Sequence, residues 1–205
     1  MTAHSDYWNA FYDDGARPGW DMARPTPVLA EALACAAAAG LAPGASVVVP
    51  GCGYGHDAAG LEAEGFVVTG LDFAPLALQG ARARYGDRVT WSSADWFSPQ
   101  LGPLGPVPGP WDAIFDHTCF VAMDPERRRD YVEACARHLR PGGLWMVVVF
   151  DDVQGRPGPP HAIPLETCRD LALPRFEILH LARASASHPR RAGRELLMVA
   201  RRRQD

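Results

Sequence analysis

Residues 50–57 read Pro-Gly-Cys-Gly-Tyr-Gly-His-Asp, directly after the β-branched run Ser46-Val47-Val48-Val49. Glycines at 51, 53 and 55 permit positive φ and let a ligand come up against the main chain. A tight turn with no ligand would use the same residues. Asp72 stands 17 residues beyond Gly55, at the end of the next apolar run. A carboxylate there accepts from both hydroxyls of a ribose. After the third such run comes Ala94-Asp95-Trp96: an acid suited to an adenine amino group, then a ring large enough to cover the base. Each acid alone would equally cap a helix. The three features in order describe an adenosine site.

The group attached to that adenosine follows from what is missing. A dinucleotide site requires Gly-x-Gly-x-x-Gly, whose third glycine allows close helix packing. Here that position is His56, followed by Asp57, a poor neighbour for pyrophosphate. Both residues disfavour NAD and suit S-adenosylmethionine, whose tail is an amino acid without phosphate.

These residues need a scaffold that brings strand ends together, and the pattern along the chain supplies one. An alanine-rich helix is predicted over 27–39, stopped by Gly40 and Pro43. Strands are predicted at 46–49, 66–71, 88–91, 111–115 and 144–150, with helices at 57–64 and 75–85 between them. A further helix starts at Asp124-Pro125-Glu126 and ends before Arg140-Pro141-Gly142-Gly143. A short helix and two strands near 175–181 and 194–201 close the chain, the last two an antiparallel pair. Continuous apolar strands alternating with helices mean a doubly wound α/β sheet, seven-stranded and mostly parallel, in three α/β/α layers. Proline–glycine segments at 99–110 and 155–164 are read as loops.

Composition bounds the chemistry. The chain has 205 residues, one domain's length, with 47% hydrophobic and 21% charged residues. All 20 of its basic residues are arginine. The lack of lysine excludes a P-loop lysine, a Schiff-base lysine and a lysine base. A net charge of −4 carries no nucleic-acid footprint. The arginines at 190, 191, 194 and 201–203 read as a solvated end strand and tail, with a binding patch as the other reading. No segment is long and apolar enough for a membrane span, and the N-terminus carries no signal pattern. Five cysteines without a C-x-x-C spacing and seven scattered histidines indicate reduced thiols, a cytoplasmic location and no metal site.

Taken together, the glycine run, Asp72, Ala94-Asp95-Trp96 and Leu139-Arg140-Pro141-Gly142-Gly143 resemble the class I S-adenosylmethionine-dependent methyltransferases over nearly the whole chain. Residues 50–57, 19–27 (Gly-Trp-Asp-Met-Ala-Arg-Pro-Thr-Pro), 115–123 (Phe-Asp-His-Thr-Cys-Phe-Val-Ala-Met) and 158–160 (Gly-Pro-Pro) are similar to one branch. That branch holds the thiopurine S-methyltransferases with the thiol, thiocyanate and halide methyltransferases.

The resemblance implies a single methyltransferase domain over 1–205, with residues 1–26 a lid whose Trp8, Tyr12 and Trp20 cover cofactor and substrate. Tyr12 stands where the family often has tryptophan. Ring faces also attract a sulfonium cation, although ordinary packing of a terminal segment would use the same rings. Gly51, Asp72, Asp95 and Trp96 match cofactor-contacting positions, and Gly53 and Gly55 of the same run are expected to border the cofactor. Val49 and Pro50 follow the family's habit of omitting an acid at the start of this motif. His117 falls where relatives carry a substrate-facing arginine or tyrosine, and Asp151-Asp152 where thiol and halide enzymes carry acids, one of which would alternatively cap a turn.

The implied reaction is methyl transfer from S-adenosylmethionine, leaving S-adenosylhomocysteine, to sulfur or a similarly soft atom (thiocyanate, halide, selenium) of a small molecule. His117 and Asp152 are the candidate catalytic residues. For His117 a base or substrate contact, a structural hydrogen bond and plain wall all stay open. Cys119 reads as a small buried hydrophobe. Methyl transfer to oxygen or nitrogen on the same fold is the alternative, and a non-catalytic cofactor-binding domain a further one. The partner is a small molecule, not nucleic acid or membrane. The sequence leaves the oligomeric state open, a monomer being compatible.

Overall fold

The computed structural model describes residues 5–15, 17–97, 109–155 and 157–204. Most of the 99–110 loop, Arg156 and His4 therefore lie outside the described residues.

Seven strands form one sheet in the order β3-β2-β1-β4-β5-β7-β6. They are β1 (Ser46–Pro50), β2 (Val67–Asp72), β3 (Thr90–Ser93), β4 (Trp111–His117), β5 (Leu139–Phe150), β6 (Phe176–Arg183) and β7 (Glu195–Arg202). The first five pair in parallel, and β7 runs antiparallel to both β5 and β6. The helices are α1 (Ser5–Asn9), α2 (Val28–Ala38), α3 (His56–Ala63), α4 (Pro75–Tyr85), α5 (Arg128–His138) and α6 (Leu165–Ala172), with a 3₁₀ turn over Ala10–Gly15.

Side chains alternate across the sheet. Val47 and Val49 of β1, with Met146 and Val148 of β5, face Val28, Ala32 and Leu61 on α2 and α3. Val48, Trp145 and Val147 point the other way, onto Tyr131, Cys135 and Cys168 of α5 and α6. Two buried faces explain why the parallel strands read as unbroken apolar runs.

The connections set the site. β1 lies between β2 and β4, so the chain leaves β1 toward one side and later returns to the other. The crevice opens where the direction reverses, beyond the C-terminal ends of β1 and β4.

Three of the parallel strands differ from the sequence reading by two residues or more at an end. β3 sits at 90–93 rather than 88–91, because its register with β2 begins at Thr69↔Thr90 and ends at Asp72↔Ser93. β4 continues through Asp116 and His117, polar residues that are buried because distant partners satisfy them. β5 starts at Leu139, which pairs with Trp111 across an irregularity in β4. Gly143 fits there because a Cβ would lie 2.9 Å from the Arg140 carbonyl oxygen and 3.0 Å from that of Asp112.

Candidate functional site

The loop between β1 and α3 is a chain of left-handed glycines. Gly51, Gly53 and Gly55 have φ of 58°, 54° and 77°, a region costly for residues with a Cβ. Space forbids a side chain too. A Cβ on Gly51 would sit 2.8 Å from Cys119 Sγ, and one on Gly53 3.1 Å from the Tyr12 hydroxyl. The main chain is therefore bare on the crevice side.

Asp72 ends β2 beneath this loop. Its Oδ2 accepts from the Gly53 amide at 2.9 Å and its Oδ1 from the Ala74 amide at 2.9 Å. Burial raises its pKa against those hydrogen bonds. Each carboxylate oxygen keeps a lone pair for a further donor.

A cleft opens above this loop. Tyr12, Trp20, Asp21, Met22 and Arg24 form one wall; the 49–57 segment, His117 and Thr118 form the other. Tyr12 is buried edge-on against Tyr54, with ring centroids 5.0 Å apart, and Trp20 packs on Phe11 at 4.9 Å. Trp8 stands behind Trp20 at 5.6 Å and does not line the cleft. Asp21 is held by His56, whose Nε2 lies 3.0 Å from its Oδ1. Burial, and secondarily the charge of Asp72, drives the Tyr12 hydroxyl well above its ordinary pKa.

His117 sits at the end of β4 with both ring nitrogens taken. Nδ1 is 2.7 Å from Asp57 Oδ2, and Nε2 is 2.6 Å from Arg191 Nη1. A guanidinium has no acceptor, so this contact is a hydrogen bond only with Nε2 accepting and Nδ1–H donating to Asp57. Asp57 Oδ1 also accepts from the Thr26 amide at 2.6 Å. Burial would raise the Asp57 carboxyl, but His117, the Thr26 amide and His56 hold it below its usual value. For His117, burial pulls the pKa down, while Asp57 and Glu195 more than offset it and raise it from its ordinary value; Arg191 opposes them. The close Arg191 contact favours the neutral ring in the arrangement seen.

Next along the chain, Thr118 has φ 75°, an outlier for a β-branched residue. Asp116 holds the turn in place. It accepts from the Cys119 amide (3.1 Å), the Phe120 amide (3.2 Å) and the Tyr131 hydroxyl (2.6 Å). Burial pushes its pKa up to about 6. Burial keeps the thiols of Cys52 and Cys119 protonated, with pKa values well above the ordinary one.

Of the residues singled out from sequence, Tyr12, Trp20, Gly51, Gly53 and His117 meet at the cleft, with Gly55 and Asp72 supporting it from below. Four do not line it: Trp8, as described, and three more. Trp96 is a core residue, its ring 4.6 Å from His138 and 6.1 Å from Tyr131. Asp95 is exposed and accepts from the Phe97 amide at 3.0 Å. Asp152 is exposed and caps its own turn, accepting from the Gln154 amide at 2.7 Å.

The sequence reading also missed residues. Arg191, grouped with a solvated tail, is 8% exposed, and Glu195 beside it 1%. A carboxylate opening an apolar strand, four residues after an arginine, was the available signal. Among the described residues, no cluster of His, Cys, Asp or Glu is placed to hold a metal ion, and no helix is long and apolar enough to cross a membrane.

Comparison with known proteins adds to this geometry. The profile of the family described as thiopurine S-methyltransferase matches residues 3–201. Thiocyanate methyltransferase 1 of Brassica oleracea is 28% identical over 202 residues, 96% of this chain and 84% of that one. Thiopurine S-methyltransferase of Vibrio atlanticus is 31% identical over 163 residues, 74% and 75% of the two chains. Among solved structures, a 1,6-didemethyltoxoflavin-N1-methyltransferase from Burkholderia thailandensis, with bound 1,6-didemethyltoxoflavin and S-adenosylhomocysteine, superposes at TM-score 0.72. It covers 97% of this chain and 87% of its own at 22% identity, a likeness of fold.

Proposed function

The chain belongs to the thiopurine S-methyltransferase family and is an S-adenosylmethionine-dependent methyltransferase; from that premise we propose that it methylates sulfur, or a similarly soft atom, of a small molecule. The observation that favours this acceptor is that, among the described residues, the carboxylates lining the cleft are engaged by protein groups: Asp57 accepts from the Thr26 amide and from His117, and Asp21 accepts from the Ala23 amide beside His56. Both nitrogens of His117 are bonded to protein groups, Asp152 is elsewhere, and the two nearby thiols are protonated. An oxygen or nitrogen acceptor needs a positioned base. A soft nucleophile that arrives already ionised, or that ionises readily, needs only alignment and exclusion of water.

The residues present fit the cofactor. The bare glycine loop admits a ligand against the main chain, and Asp72 has lone pairs to spare for ribose hydroxyls. The aromatic wall of Tyr12 and Trp20 suits a cationic centre. When bound, S-adenosylmethionine supplies an electrophilic methyl on sulfur. The lid residues shield that region from water. Thr118 and His117 form the opposite wall, where an acceptor is aligned.

Mass-spectrometric profiling tests this reading across thiols, thiocyanate, iodide, selenite, phenols and amines with S-adenosylmethionine. Methylated products are expected from the soft acceptors. Turnover confined to phenols or amines would overturn the proposal in favour of oxygen or nitrogen transfer.

A further inference from the structure

Arg191 lies in the connection between β6 and β7, far in sequence from the lid. A turn in which the Arg191 amide donates to the His188 carbonyl at 2.7 Å, and the Arg194 amide to the Arg191 carbonyl at 3.0 Å, directs it inward. Its two terminal nitrogens serve different elements. Nη1 donates to His117 Nε2 at 2.6 Å, and Nη2 to the Trp20 carbonyl at 2.7 Å. Glu195 Oε1 stands 3.4 Å from Nη1 and is itself fixed through Oε2 by the Ser187 hydroxyl at 2.7 Å. The guanidinium also lies 5.4 Å from the centre of the Phe150 ring, at the end of β5.

We propose that Arg191 is the latch of the N-terminal lid, a positioning residue that ties the Trp20 main chain to His117 and so sets the aromatic wall over the cleft. Its effect on transfer rests on the methyltransferase reading; the latch itself does not. The planar fork reaches two acceptors at once, which a lysine ammonium, a single point of donation, does not do in this geometry. The latch requires His117 to be neutral, because a protonated Nε2 would present a hydrogen to the guanidinium. Asp57 and His56 on α3, Asp116 on β4, and Arg191 and Glu195 from the β7 side are the charged and titratable groups around that ring. Protonation of His117 would turn its Nε2–H toward Glu195 Oε1, now 3.7 Å away, and release the guanidinium. The lid has a second hold, Asp21 on His56, so loss of Arg191 loosens it without detaching it.

Two measurements on the full chain without cofactor test the latch, and neither depends on turnover. In the wild-type protein, ¹⁵N imidazole spectra near pH 8 should show His117 with Nδ1 protonated and Nε2 bare. An imidazolium with protons on both nitrogens would overturn the proposal. Hydrogen exchange is then compared over residues 17–27. In Arg191→Gln the lid amides should exchange on the order of tenfold faster, the weight of one hydrogen bond to a charged group, while β4 and β5 keep their protection. Arg191→Lys should fall between the two. Unchanged lid exchange in Arg191→Gln overturns the latch. If that variant loses protection throughout the sheet, Arg191→Lys decides instead, and wild-type lid exchange there overturns it. Absence of methyl transfer would leave these results standing, so the two failures are distinguishable.

Discussion

Asp116 is a buried carboxylate that costs stability as it ionises, and Asp116→Asn measures the cost. In the folded chain its pKa is pushed up from 3.8 to about 6. A raised carboxyl pKa means that the folded state holds the proton more tightly than the unfolded one. Stability from this group is therefore greatest below pH 3.8 and falls as the pH rises through about 6. At 1.36 kcal/mol per pH unit the swing is about 3 kcal/mol. The asparagine side chain of the variant does not ionise and lacks this dependence. Its carbonyl still accepts from the Cys119 and Phe120 amides, but its amide meets the Tyr131 hydroxyl with a surplus hydrogen, costing about 1–3 kcal/mol at every pH. Wild type should therefore be the more stable at pH 4, and its advantage should shrink or reverse by pH 8. Each kcal/mol moves the melting temperature of a domain this size by about 2–4 °C, so the difference between the two proteins should change by about 6–12 °C. Calorimetric melts of both from pH 4 to 8 read it directly. A constant difference, or a wild-type advantage that grows with pH, would refute the reasoning, because Asp116 would then ionise without penalty.

Gly51→Ala should lose about 1–3 kcal/mol in urea melts, from its φ of 58° and a Cβ 2.8 Å from Cys119 Sγ; adding Cys119→Ala should restore the steric share. Asp72→Asn removes the charge from the acceptor of the Gly53 and Ala74 amides. Affinity for S-adenosylhomocysteine should fall about 10- to 100-fold by calorimetry while the fold is kept. Asp152→Ala removes only a turn cap, so turnover should change less than about twofold and stability by about 1 kcal/mol or less; a large loss of turnover would bring Asp152 back into the chemistry.

What the sequence disclosed divides by range of interaction. The succession of strands and helices and the glycine loop were legible because parallel strands buried on both faces must be apolar throughout, and because a left-handed backbone selects glycine. Helix α4 ran over 75–85 as read, since Pro75 starts it and Gly86, with φ 63°, ends it. The polar interior was not legible. Asp116 and His117 extend β4 only because Tyr131, Asp57 and Arg191 reach them from elements 15 to 74 residues away. Trp96 is the converse case: its neighbours in sequence suggested a base-covering ring, while in space it is buried against His138 and Tyr131. Arg191 looked like one of a solvated group because the one local mark of its burial is Glu195, four residues on at the start of an apolar strand.

The central claim, that the glycine loop, Asp72 and the aromatic lid form a cofactor site, is tested most directly by titrating the protein with S-adenosylmethionine and S-adenosylhomocysteine in a calorimeter. Saturable one-to-one binding of both, well below millimolar and weakened by Asp72→Asn, is the expected result. No heat of binding from either at millimolar concentration would contradict the account.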